Sequence, residues 1–312
     1  MKRIAVALSI LVLELGAFTA SGQEFRSQLV VPKRKAPEAN PAYRLIHCRT
    51  GKEISITQLA DDLSSRDVVY FGELHDNVCG HQVYAELARL LADRRADLVI
   101  SMEMFERDVQ GVVNDYLRGR IGEAEFLKHG RPWKDYVRDY KPLIELARER
   151  KLDVIAGNLP RPVARKVSSK EGSMSPFLPR TTTAPMDQYW ELFGEAMKEH
   201  PGADGAVERM YRAQCAKDDA MAEGIADYLA SNPHRQPLVI HCNGSFHSDY
   251  GLGTAARLAA RVPLAQAAII SMIAFPDVAK ADVSNSIKKA HYLLVVPAPP
   301  KPPDKPVEKK PK

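Results

Sequence analysis

The stretch DVVYFGELHDN, residues 67–77, joins a short run of apolar and branched residues to a turn that carries glycine, glutamate and histidine. Five further runs of this kind follow along the chain, separated by patterns at helical spacing. They are DLVISME (97–103), LDVIAGN (152–158), PLVIHCN (237–243), AAIISMI (267–273) and HYLLVV (291–296). Near-continuous apolar strands separated by helices are typical of a mostly parallel sheet with helices on both faces. We therefore predict an α/β fold.

The segments between these runs favour helices. HQVYAELARLLADRR, residues 81–95, places its apolar residues on one face at helical spacing. Residues 187–230 predict an inserted helical region of two helices, divided around His200, Pro201 and Gly202. The polar segment SKEGSMSPFLPRTTTAP, residues 169–185, precedes the inserted region. It is long for a loop in a compact domain, and such length is typical of a lid or a binding loop.

The two ends of the chain differ in composition from the part between them. Residues 1–22 contain two basic residues, an apolar run and then small residues, the order of a secretory signal peptide. Glu14 interrupts the run, so a core helix or a weak anchor is the competing interpretation. Residues 23–42 form a linker rich in proline and lysine, 43–296 form one α/β domain, and 297–312 form a disordered tail rich in proline and lysine.

This organisation predicts an exported, periplasmic protein. The first cysteine is Cys48, too far from the apolar run for a lipobox, so lipoprotein attachment is not expected. Beyond the signal peptide, no segment reaches the ~18 apolar residues that span a bilayer, so we expect no transmembrane segment in the mature chain.

The bulk composition sets further limits. A chain of 312 residues with 45% hydrophobic content can bury a full core. The net charge of +5 is modest and partly located in the tail, which argues against nucleic-acid binding. The four cysteines show no C-x-x-C pairing, so buried thiols are the favoured interpretation, while disulfide pairing and a soft metal contact stay open. The cysteines are Cys48, Cys79, Cys215 and Cys242.

Four of the predicted strands end in polar residues. Ligands of parallel α/β proteins bind beyond the carboxyl ends of the strands, so we expect these residues to meet in one cleft. A structural role for any one of them is the alternative. They are Glu73 and His75 after the first strand, Glu103, Asn158, and Asn243 followed by His247.

Two imidazoles and two carboxylates in one cleft allow two kinds of chemistry. They form a nitrogen and oxygen ligand set suited to Mn, Fe, Co or Zn. They can equally work as an acid/base pair without metal, because a histidine beside a carboxylate titrates near neutrality. The glycine at the start of each motif, Gly72 or Gly244, lets the chain turn sharply and lets a ligand approach.

Other polar features are less specific. The segment HGRPWKDYVRDYKP, residues 129–142, is either an ordinary surface helix or a rim for a flat, anionic, aromatic ligand. Asp218 lies either on a helix surface or towards the cleft, and a solvated helix face accounts for His81. The glycine-rich turn at 251–253 precedes a helix whose N-terminus could hold an anion.

Several of these segments together resemble a known family. YFGELHDN, SMEMFERDVQ, DYKPLIELARERKLDVIAGNLPR, CAKDDAMAEGIADYL and CNGSFHSDYGLG follow the order and spacing of ChaN-like haem-binding uptake proteins over roughly residues 57 to 296. That family belongs with the Tiki proteins to a superfamily with paired G-x-x-H motifs. Both motifs are present here, as GELH (72–75) and GSFH (244–247).

The resemblance implies a haem-binding protein of iron or haem uptake, able to pair as a homodimer around stacked haems. Within it, Tyr140 or His247 would be the axial ligand of haem. Arg138 and Lys141, beside Tyr140, would meet the haem propionates.

The superfamily also implies alternatives. One is a metal-dependent hydrolase, a protease or esterase of Tiki type. The motif residues Glu73, His75, Glu103 and His247 would then hold a divalent metal and carry catalysis. The other is a scaffold of the same fold without activity. Haem is the preferred ligand, and another small molecule is the remaining possibility.

Overall fold

The computed structural model describes residues 42–169, 174–198 and 206–299. The predicted signal peptide and most of the predicted linker and tail lie outside these ranges. The described part is built on one eight-stranded sheet. Its strands are β1 (Arg44–His47), β2 (Lys52–Ile54), β3 (Val68–Glu73), β4 (Val99–Glu106), β5 (Asp153–Asn158), β6 (Val239–Gly244), β7 (Ala267–Phe275) and β8 (Tyr292–Pro297).

Ten α-helices connect these strands within the described ranges. They are α1 (Ile56–Leu63), α2 (Val78–Arg94), α3 (Gln110–Leu117), α4 (Glu123–Gly130), α5 (Tyr136–Asp139), α6 (Lys141–Arg150), α7 (Arg161–Ser168), α8 (Gln188–Met197), α9 (Val207–Ser231) and α10 (Gly253–Arg261). The predicted inserted pair corresponds to α8 and α9. No helix in the described ranges is long and apolar enough to cross a membrane.

The strand order is β2-β1-β8-β7-β3-β6-β4-β5. The six strands from β8 to β5 are parallel, which confirms the predicted α/β class. Strands β1 and β2, which the sequence analysis did not predict, run as an antiparallel pair along β8. They have four and three residues, too few for a recognisable apolar alternation.

The order in which strands are added to the sheet reverses between the neighbouring strands β3 and β6. From β3 the chain crosses to β4 and β5 on one side, and from β6 it crosses to β7 and β8 on the other. The two crossovers lie on opposite faces, since Val83 and Leu87 of α2 pack in one core while Ala255 and Leu258 of α10 pack in another. A crevice at the carboxyl ends of such neighbouring strands is where doubly wound sheets bind ligands. Both G-x-x-H motifs begin in these strands.

Local sequence determines how the chain leaves these strands. The side chain of Asn77 accepts a hydrogen bond of 2.9 Å from the Gly80 amide and so caps α2 directly after the first motif. Pro142 lies in the first turn of α6, where its missing amide hydrogen costs nothing. After the second motif, Gly253 at φ +54° begins α10. A side chain on Gly253 would lie 2.5 Å from the His247 carbonyl, so only glycine fits.

Candidate functional site

The first G-x-x-H turn places a buried carboxylate at the end of β3. Oε1 of Glu73 accepts hydrogen bonds of 2.7 Å from the Tyr140 hydroxyl and 2.8 Å from His75 Nδ1. Its other oxygen lies 3.4 Å from His81 Nδ1. Glu73 is 3% exposed, so the Tyr140 hydroxyl and the His75 imidazole provide hydrogen bonds that water would otherwise supply to the carboxylate.

His75 links this buried carboxylate to solvent, because 44% of its side chain is exposed. Its Nδ1 donates to Glu73, and within the described residues its Nε2 has no hydrogen-bond partner. Trp133 packs against the ring edge to face, with centroids 4.9 Å apart. Burial lowers the pKa of His75, but the hydrogen bond to Glu73 and the charges of Glu103 and Glu73 outweigh it and raise the pKa above its ordinary value.

His81 is a residue whose role the sequence analysis missed. A solvated helix face was expected, but the side chain is buried. Its Nε2 donates to the His75 carbonyl at 3.0 Å, and its ring meets that of Tyr140 edge to face. His81 lies in the first turn of α2, close to the motif in sequence. The short loop that positions His75 therefore also buries His81.

The second G-x-x-H turn buries its histidine between two carboxylates. His247 Nδ1 donates to Asp218 at 2.6 Å, and its Nε2 lies 3.3 Å from Glu103 Oε1. Burial lowers the pKa of His247, but the charges of Glu103 and Asp218 outweigh it and raise the pKa to about 10. This shift favours the imidazolium form of His247 at neutral pH. Asp218 in turn accepts from the hydroxyls of Tyr189 and Thr254.

Glu103 joins the two motifs. Its Oε2 accepts a hydrogen bond of 2.8 Å from the Gly244 amide, and burial opposes ionisation while the charges of His247 and His75 hold its pKa far below the ordinary value. Strand β4 continues past Glu103 to Glu106 and does not end at Glu103 as predicted. Its register against β5 is irregular between Met102 and Glu106. A side chain on Gly244 would lie 2.8 Å from His75 Nε2, so glycine at this position leaves room for the His75 ring in its observed place.

These groups open onto a cavity of about 420 Å³, a size typical of small-ligand sites. Glu73, His75, Glu103 and His247 all line it. Six further residues that the sequence analysis did not single out complete part of the wall: Phe193, Ala196, Gln214, Lys217, Ser245 and Phe246. The sequence offered a hint for two of them, because both precede Asp218 on α9. Gln214 lies four residues before it, and Lys217 lies directly before it.

Two residues expected in the cleft lie elsewhere. Asn158 ends the edge strand β5, where its side chain accepts from the Leu159 amide at 2.8 Å, and it does not line the cavity. Asn158 lies apart from the two motifs because β5 is two strands away from β6. Asn243 is buried under the turn, donating to Ser248 Oγ at 3.0 Å and to the Gly244 carbonyl at 2.9 Å.

The residues expected to bind haem are engaged with other partners. The Tyr140 side chain is 1% exposed and donates to Glu73, and burial together with the Glu73 charge raises its pKa, which disfavours the phenolate. Arg138 binds both oxygens of the buried Asp139 at 2.7 Å. Lys141 donates to Glu123 at 2.6 Å.

The expected metal set is arranged as two hydrogen-bonded pairs, Glu73 with His75 and Glu103 with His247. Among the described residues, no group of three or more histidine, cysteine, aspartate or glutamate side chains is placed to hold a metal ion. All four cysteines are free thiols, and Cys215 and Cys242 are buried.

Fold and site together define a doubly wound α/β protein with a histidine and carboxylate cleft at its topological switch point. The family model described as haem-binding uptake, Tiki superfamily, ChaN, matches residues 59–258. The chain therefore belongs to this family, as the G-x-x-H motifs predicted.

Comparison with solved structures shows one that shares the fold and others that are less similar. The structure of ChaN of Campylobacter jejuni, described by its cofacial haem binding, superposes with a TM-score of 0.64 at 17% identity, covering 83% of this chain and 98% of that one. An erythromycin esterase in its open conformation gives 0.45 at 14% identity, with 75% and 76% covered. RRSP, a toxin effector domain of Vibrio vulnificus, gives 0.40 at 17% identity, with 70% and 36% covered. No curated protein matches the chain in sequence.

Proposed function

We propose that this protein binds haem and that His75 Nε2 provides the axial ligand. One observation carries the proposal: His75 presents an exposed imidazole whose Nε2 has no partner among the described residues, while its Nδ1 is held by a buried carboxylate. Haem supplies an iron atom that takes an axial ligand from the protein, commonly histidine. His81 and His247, the other histidines of the two motif regions, have side chains only 4% and 7% exposed.

Glu73 has a defined part in this arrangement. A carboxylate that accepts the Nδ1 proton fixes the tautomer, makes Nε2 the better ligand and orients the ring. Tyr140 donates to Glu73, so in this proposal it holds the carboxylate, and the axial role expected for it passes to His75.

The test is a titration of the purified protein with haemin, followed by absorbance. His75→Ala should abolish the band of ligated haem, since no other exposed imidazole lines the cavity among the residues that the structure describes. His75→Gly with added imidazole should restore the band, because the small molecule can replace the missing ring.

His234→Ala is the matched control, since His234 is exposed and lies before β6, at the opposite end of the strand from the cleft. It should leave the titration unchanged. Ligated haem of normal affinity in His75→Ala would contradict the proposal.

The buried imidazolium favours acid/base hydrolysis as a second candidate function. His247 lies at the cavity between two carboxylates, with a pKa of about 10, so at neutral pH it can donate a proton or stabilise a developing anion. The metal-dependent form of this activity has no support from the arrangement of the described residues.

Hydrolysis is tested with p-nitrophenyl esters of short acids and with a quenched peptide library. His247→Gln should remove any activity, and His234→Ala should keep it. A wild-type rate equal to the buffer rate for all substrates would eliminate this candidate.

Export and a part in haem or iron uptake belong to the same proposal. Their support is the order of basic, apolar and small residues in positions 1–22, together with the family. N-terminal sequencing of protein from the native host should find a chain starting near Gln23. Size-exclusion chromatography with and without haemin tests the expected homodimer.

A further inference from the structure

A second cavity adjoins the cleft. This cavity, of about 440 Å³, lies between α7, α8 and α9 and shares Phe193, Gln214 and Lys217 with the cleft. A ligand bound at His75 could therefore extend into it along the wall formed by these residues. We call the second cavity the α7–α9 groove.

The groove has an apolar floor and basic edges. Phe193, Met197 and Ala164 are almost fully buried in its walls, and Met210 is 39% exposed at its margin. Among the described residues, the charged side chains that line it are cationic: Arg161, Arg165 and Lys217. An apolar surface bordered by these three cations complements a ligand with an apolar body and an anionic group.

Two of these cations are available to a ligand. Lys217 is half-buried, Arg165 is exposed, and neither forms an ion pair with a carboxylate in the described ranges. Arg161 lies 3.7 Å from Glu106, a carboxylate that Arg131 also binds at 2.9 Å.

The cations first expected to meet an anionic ligand differ in this respect. Arg138 and Lys141 are already paired with Asp139 and Glu123. A ligand carboxylate would have to displace these partners, and leaving Asp139 unpaired in the core would be costly.

We propose that the α7–α9 groove is the subsite for the carboxylates of the ligand, with Lys217 as the principal partner and Arg165 as the second. This inference rests on the proposed function and deepens it: the ligand is a planar apolar molecule with carboxylate side arms. Its body would lie over Phe193 and Met210, and its carboxylates would supply the ion pairs that Lys217 and Arg165 lack in the described ranges.

The experiment compares haemin with haemin dimethyl ester, in which both carboxylates are blocked, in the same detergent-containing buffer. A charge-assisted hydrogen bond from half-buried Lys217 predicts that Lys217→Ala weakens haemin binding about tenfold. Exposed Arg165 predicts a loss of about threefold in Arg165→Ala. Affinity for the ester should be the same in wild type and both variants. Lys217→Met, which keeps the aliphatic stem, should reproduce the loss if Lys217→Ala folds poorly.

Lys166→Ala and Arg212→Ala are matched controls for charge. Lys166 follows Arg165 on α7 but does not line the groove, and Arg212 of α9 is paired with Glu208. Both should bind haemin as wild type does.

Two results would overturn the inference. Equal wild-type affinity for haemin and its ester would do so, as would equal losses in the controls and in Lys217→Ala. In either case the effect of His75→Ala would persist and the proposed function would stand. A wild type with no band of ligated haem would overturn both.

Discussion

Asp218→Asn removes one of the two anions that keep His247 protonated in the core. The substitution preserves the shape of the side chain. Asp218 accepts hydrogen bonds from His247, Tyr189 and Thr254, so the amide nitrogen of the asparagine must face at least one of these donors. A buried opposite charge at this distance shifts a pKa by about 1 to 3 units, so we expect the His247 pKa to fall by that amount.

The pKa of His247 also links stability to pH. A folded pKa of about 10 against an ordinary value of 6.5 means that the folded state binds the proton more tightly. At about 1.4 kcal/mol per unit, the stabilisation is roughly 4 to 5 kcal/mol; it is fully present below pH 6.5 and is lost as pH rises towards 10. In Asp218→Asn this loss should be smaller and end at a lower pH. Near neutrality the variant should be about 1 to 4 kcal/mol less stable.

The measurement is a histidine NMR titration from pH 5 to 10, with urea unfolding at each pH. The His247 signal is assigned by its absence from His247→Gln. Asp219→Asn is the matched control: Asp219 is equally buried, but it binds Arg257 and Arg261. The control should lose about 3 to 5 kcal/mol of stability and leave the His247 pKa unchanged. If His247 of the wild type titrates near pH 6.5, the imidazolium interpretation is wrong.

Three further predictions concern the rest of the site. Gly244→Ala places a methyl group 2.8 Å from His75 Nε2, so haem binding should weaken while urea unfolding changes little; an unchanged haemin titration would contradict this. Tyr140→Phe leaves Glu73 with one donor fewer, so it should cost about 1 to 3 kcal/mol of stability without moving the haem bands. Shifted bands would return the axial role to Tyr140. Metal analysis of the purified protein tests the alternative ligand, since stoichiometric Mn, Fe, Co or Zn without haem binding would favour the hydrolase.

The strands around the site could be predicted from sequence because they are buried on both faces. The run at 67–73 begins one residue before β3 and ends with it, and the run at 237–243 begins two residues before β6 and ends one residue before it. The strand order could not be predicted in this way. Order depends on which helices cover which face, and the apolar runs do not carry that information. For this reason Asn158 was expected in the same cleft as the motif residues, although its strand is at the edge of the sheet.

The motif residues could be predicted, but their partners could not. Glu73, His75, Glu103 and His247 follow apolar runs, and a polar residue in that position is conspicuous in any sequence. Phe193, Gln214 and Lys217 belong to helices that reach the cleft from the inserted region, more than 100 residues after the first motif. In sequence they are ordinary helix residues, and only packing brings them to the site.

The two motifs have similar sequences but different environments, and this difference separates the two candidate functions. Glu73 binds a histidine whose other nitrogen faces outward, whereas Glu103 and Asp218 enclose a histidine on both sides. An axial ligand needs a free lone pair, which a doubly paired imidazolium does not have. A proton donor needs a bound proton, which His247 keeps at neutral pH. Haem binding should therefore depend on His75 and tolerate His247→Gln, while hydrolysis should depend on His247. A variant set in which both substitutions abolish only haem binding would show that the motifs act as one unit.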